Sequence, residues 1–153
     1  MRNVEIVKNK QRLDDLFSRI TFFADNFELR AQWARYLCIL VAGFVETSIR
    51  AIYIQYSSER AEPRVANYVS SRLKRFTNPN MEDILSLAAN FDPTWRERID
   101  NSVDSELKDA VDSIMALRNP IAHGVNTGIS YIRVKEYYTR IIRLIELVEN
   151  VCT

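Results

Sequence analysis

Histidine, cysteine, glycine and proline are all scarce in this 153-residue chain, which has one His, two Cys, three Gly and four Pro. So few turn-forming residues exclude a β-sandwich of many short strands, whose corners need them. One histidine and two distant cysteines, Cys38 and Cys152, give no zinc-type ligand spacing, so no metal and no other cofactor is expected. Cys38 lies in an apolar run and is expected to be a buried small hydrophobe. The start, Met1-Arg2-Asn3-Val4-Glu5, carries no signal-peptide pattern. The apolar run Leu37 to Val45 is about half the length a bilayer-spanning helix needs. A cytoplasmic protein without a membrane partner is expected. An excess of one charge is missing too: 21 Lys and Arg face 20 Asp and Glu, leaving +1. No overall field draws in nucleic acid, so any such binding must rest on a local patch.

What is present is apolar content of 47% and charged content of 27%, the balance of a soluble globular chain. The length fits one domain, residues 1–153, able to bury a core without staples. The apolar residues recur at spacings of three and four, which predicts helices throughout. One covers about Val4 to Phe23. A second, the longest, runs from about Leu29 to Tyr56, and its centre is apolar on every side, as for a helix surrounded by others. A shorter basic helix covers Glu59 to Arg75. Asn80 and Asp92 are placed as caps of two further short helices, the second with Pro93 in its first turn. Another helix starts near Ser102 or Ser105, and a last one, capped by Ser130, runs to the end. The result is an all-α bundle of six or seven helices.

Arg118-Asn119-Pro120-Ile121-Ala122-His123-Gly124 is the stretch with most chemical content. Arginine is a planar, permanently charged fork suited to phosphate. Histidine as a residue type exchanges protons near neutral pH. Pro120 and Gly124 are expected to break the helix, leaving both side chains on a bent, partly open corner. An arginine and a histidine at a helix end also have a purely structural use, capping the last carbonyls and meeting the dipole. Position argues for more. Leu107, Val111, Ile114 and Arg118 fall on one helical stripe, so Arg118 points inward, away from Asp109 and Asp112. An inward arginine needs an anion or a carboxylate.

Glu46 follows the apolar centre of the long helix and needs a partner. Arg50, one turn on, would make a structural ion pair; alternatively Glu46 lines a cleft and orients Arg118 or His123. Asn119 either bonds a phosphate or caps the helix, its place favouring the cap. Arg64, Arg72, Lys74 and Arg75 form the most cationic stretch, a solvated face or a surface for RNA.

Together these pieces resemble the HEPN domain superfamily, and specifically its RiboL-PSP-type branch. The hallmark there is an arginine, usually a polar residue, and a histidine a few positions on; Arg118 and His123 fit it, with Asn119 between. The helix Tyr36 to Glu46, with its acidic residue, is similar to that branch's second helix. Phe76-Thr77-Asn78-Pro79-Asn80, Ile84-Leu85 and Ile121-Ala122-His123-Gly124 also look like it, and the likeness covers nearly the whole chain. It implies a two-fold dimer with both Arg-His pairs on one cleft, and metal-independent endoribonuclease activity. Arg118 and His123 would be the catalytic residues, with Asn119 and Glu46 supporting them, and Arg72, Lys74 and Arg75 as RNA contacts. Relatives often act as toxins or in defence against phage, which implies an antitoxin or defence-system partner. Those paired with nucleotidyltransferase antitoxins often have Tyr two residues after the histidine; here it is Val125. The alternative is a non-catalytic dimerisation or nucleotide- or RNA-binding module of the same fold.

Overall fold

Phe27–Arg60 form one helix of 34 residues, and the rest of the chain is arranged around it. No proline interrupts it, and Asn26 caps its start by accepting from the Leu29 amide. It ends where Glu62 precedes Pro63: a residue before proline is pushed out of the helical region, and Glu62 has φ −58° and ψ 142°. The structure, a computed structural model, describes residues 1–153. It is all-helical: α1 Val4–Ser18, α2 Phe27–Arg60, α3 Pro63–Leu73, α4 Met81–Phe91, α5 Pro93–Ser102, α6 Ser105–Ala122 and α7 Tyr131–Val151.

α2 packs against α1, α3, α6 and α7, as its all-round apolar centre predicts. Leu37, Cys38, Val41, Val45, Ile49 and Tyr53 are fully buried in it. α4 and α5 pair with each other and lean on α6 and α7. α2 is long and apolar enough to cross a membrane, yet 67% of its most apolar window is buried inside the bundle, where it serves as the core helix.

The predicted caps are in place. Asn80 and Asp83 close a reciprocal capping box on α4, Asp92 caps α5 ahead of Pro93, and Ser130 caps α7. Several boundaries differ from the sequence reading. The first helix is α-helical only to Ser18 and continues as a 3-10 turn over Arg19–Phe23. Thr21, Phe22 and Phe23 are weak helix formers, that turn buries no residue, and the indole of Trp33 takes the Leu16 carbonyl at 3.1 Å. Glu59 and Arg60 belong to α2, so the basic helix starts only at Pro63.

Glu149, buried on α7, accepts hydrogen bonds from the Arg2 and Asn3 amides at 2.8 to 2.9 Å, fastening the start of α1 to the last helix. Glu149→Ala would leave both amides without a partner. The expected cost is about 2 kcal/mol, lowering Tm by about 6 °C in thermal denaturation followed by circular dichroism.

Candidate active site

Arg118 continues the buried stripe of Leu107, Val111 and Ile114 on α6, and its side chain is 26% exposed. Its Nη1 donates to Glu46 Oε2 at 2.9 Å and to Asn78 Oδ1 at 2.6 Å. Glu46, on α2, is 12% exposed and binds on three sides. Oε2 also accepts from the Asn78 amide at 2.8 Å, and Oε1 lies 3.1 Å from Arg50 Nη2. Arg50 in turn donates to the Phe76 carbonyl through Nε and to the Lys74 carbonyl through Nη2. The α3–α4 loop is thereby strapped onto α2 beside Arg118. Glu46 therefore pairs with Arg50 and also holds Arg118, while it does not touch His123 and is not among the residues lining the cleft beside Arg118.

The electrostatics of this cluster favour an anion. Two guanidiniums, Arg50 and Arg118, share the single carboxylate of Glu46, so the group carries a net positive charge. Arginine has five N–H donors. Arg118 uses only those on Nη1, and its Nε and Nη2 have no partner in the chain. That free edge is the one that grips a phosphate with two parallel bonds. Arg118 borders a cleft of about 280 Å³ between α1, α2 and α6, lined also by Asn9, Arg12, Leu40, Gly43 and Thr47.

His123 is the C-cap of α6; it is exposed, and its imidazole has no hydrogen-bond partner in the chain. The helix does not break at Pro120, as its sequence suggests, but runs through it to Ala122. Proline removes the amide that would bond the Ala116 carbonyl, but Ala116 is exposed, so that carbonyl is open to solvent and the loss is tolerated. Closure comes from Gly124 at φ +81°: the Val125 amide reaches the Pro120 carbonyl and the Gly124 amide reaches that of Ile121. This is a Schellman turn, which needs the left-handed residue that glycine supplies. Five residues of helix place His123 roughly 140° around the axis and roughly 7.5 Å along it from Arg118. Within one chain the two therefore stand on different faces.

Asn119 is exposed, and its side chain makes no cap; only its carbonyl takes part, accepting from the His123 amide at 3.0 Å. Arg72, Lys74 and Arg75 are exposed cations outside every ion pair. Their stretch lies next to the site, since Arg50 holds the backbone of Lys74 and Phe76. The two cysteines are poor nucleophiles: burial pushes the Cys38 and Cys152 thiols up to about 11, so little thiolate forms near neutral pH.

Asn78 is the member of this group with no role assigned from the sequence, beyond its place in the family-like stretch Phe76 to Asn80. Its backbone is left-handed, with φ 48°, a conformation asparagine tolerates better than most residues. The Asn-Pro pair signals only a turn; nothing local shows that its amide meets an arginine 40 positions on.

No curated protein and no solved structure matches the chain. The RiboL-PSP-HEPN family model, by contrast, matches residues 2–153, so the anchored Arg118, the exposed His123 and the seven-helix bundle around them belong to a member of the RiboL-PSP-HEPN family.

Proposed function

We propose that this domain is a metal-independent endoribonuclease that acts as a two-fold dimer, in a cytoplasmic toxin or phage-defence setting with an antitoxin or defence-system partner. The observation that carries the reading is the held guanidinium of Arg118, fixed through Nη1 with its Nε and Nη2 edge free. Such an edge fits two non-bridging oxygens of a phosphodiester and the extra charge they gain in the transition state. Arg72, Lys74 and Arg75 extend the positive surface along the RNA.

The ribose 2′ oxygen attacks the adjacent phosphorus as the bond to the 5′ oxygen breaks. One imidazole takes the 2′ proton, and another supplies a proton to the leaving 5′ oxygen. The products are a 2′,3′-cyclic phosphate and a 5′-OH, and DNA, without the 2′-OH, is not cut. One chain has a single histidine, on a different face from Arg118. A two-fold axis through the cleft supplies a second imidazole and a second guanidinium from the same motif.

The test is cleavage of a mixed RNA pool in EDTA, with the 3′ ends analysed. Cyclic phosphate ends from wild type are expected. Arg118→Lys keeps the charge but loses the fork, and cleavage is expected to fall about 10²- to 10³-fold. Tight RNA or nucleotide binding without cleavage at high protein concentration would instead make the domain a binding module.

A further inference from the structure

We infer that Asn78 is a positioning residue of this site: it holds Nη1 of Arg118 and so sets the direction of the free edge that takes the phosphate. The inference rests on the ribonuclease reading above and deepens it. Arg118 Nη1 is a donor only, so the atom of Asn78 facing it at 2.6 Å is the carbonyl oxygen. Asn78 therefore meets Arg118 at Nη1 and leaves the Nε and Nη2 edge uncovered, while its own Nδ2 has no partner in the chain. Three N–H groups of Arg118 are thus left for one anion, on a guanidinium whose plane Asn78 and Glu46 fix through Nη1.

Three features argue against a merely structural turn. The first is the cost of the conformation: Asn78 is the one non-glycine residue with positive φ, and such strain persists where surroundings enforce it. Here the enforcement comes from the site, through the Asn78 amide on Glu46 Oε2. The second is that glycine would meet the backbone demand without strain. It would also lose the side-chain contact to Arg118. The third is charge. Aspartate would hold Nη1 at least as well, but with Glu46 it would set two carboxylates against Arg118 and cancel the charge that attracts phosphate. A neutral oxygen anchors the guanidinium and leaves that charge in place.

The experiment compares wild type, Asn78→Gly and Asn78→Asp by steady-state cleavage of a fluorescent RNA, thermal denaturation, and binding of a 2′-O-methyl RNA of the same sequence, which cannot be cut. Asn78→Gly is expected to keep Tm within about 3 °C, because relief of strain offsets the lost bond. Its kcat/KM is expected to fall about 10- to 100-fold, the worth of one hydrogen bond to a charged group. Asn78→Asp is expected to raise KM and to weaken 2′-O-methyl RNA binding further than Asn78→Gly does. Wild-type kcat/KM in Asn78→Gly, or wild-type RNA binding in Asn78→Asp, would overturn the inference. If wild type binds RNA but cleaves none, the ribonuclease reading has failed while the binding arm still decides the role of Asn78. If wild type neither binds nor cleaves, both fall.

Discussion

His123→Ala is expected to lower RNA cleavage by about 10²- to 10⁴-fold, the usual worth of one positioned acid or base. It is expected to leave the fold untouched. The imidazole is exposed and bonds nothing in the chain, and the turn at the end of α6 is closed by backbone amides and Gly124, which the substitution preserves. Tm should therefore stay within about 2 °C of wild type, since surface changes away from caps and cores cost little. The measurement is a paired one: cleavage of an RNA pool in EDTA, and a melting curve on the same preparation. Equal cleavage by variant and wild type would place the chemistry elsewhere. Loss of activity together with a large drop in Tm would contradict the exposed position of this side chain. On the proposed dimer, with two copies of the motif on one cleft, mixing wild type with His123→Ala adds a finer test. If each product bond needs both imidazoles, heterodimers are inactive, and activity falls faster than the wild-type fraction.

Glu46→Ala is expected to harm stability and activity together. This carboxylate is the counter-ion of Arg50 and Arg118 and the acceptor of the Asn78 amide. Removing one partner of a buried ion pair costs about 3–5 kcal/mol. The two arginines here remain partly open to water, which screens the loss, so about 2 kcal/mol is the reasonable expectation. That corresponds to a fall in Tm of about 6 °C. Activity should drop by at least about 10²-fold, because the guanidinium then loses its fixed plane and the α3–α4 loop loses its tether. Glu46→Gln separates the two effects. Its amide oxygen still accepts from one arginine, which recovers part of the stability, while the second arginine and the loop amide compete for what remains. A double-mutant cycle of Glu46→Gln with Arg118→Lys should give a coupling energy above about 0.5 kcal/mol, as expected for residues in one network. Simple additivity would mean that Glu46 serves the fold through Arg50 alone.

How much of the site was legible in the sequence depends on the range of each contact. The inward placement of Arg118 follows from three apolar residues at helical spacing on its own helix, so the periodicity exposed it. The Glu46–Arg50 pair lies within one turn of α2 and was legible for the same reason. The course of the chain after Arg118 was not. Pro120 reads as a breaker, yet a proline in a last turn whose lost acceptor faces water is tolerated, and Gly124 two turns from Arg118 sets the end. The first helix shows the opposite error, since continued apolar spacing through Phe23 outlasts the α-helix that carries it.

By itself, the sequence determined the helical class, the central place of α2 and the caps at Asn80, Asp92 and Ser130, because all of these depend on residues within a turn or two of one another. It also determined that an inward arginine precedes the lone histidine by five positions, and the family to which the chain belongs. Only the tertiary structure decided how that arginine is held. Its bonds to Glu46 and Asn78 span 72 and 40 positions, and the bond between those two partners spans 32. Packing of α3, α4 and α6 around α2 sets these distances, and no local pattern of residue types encodes which side chains of separate helices will meet.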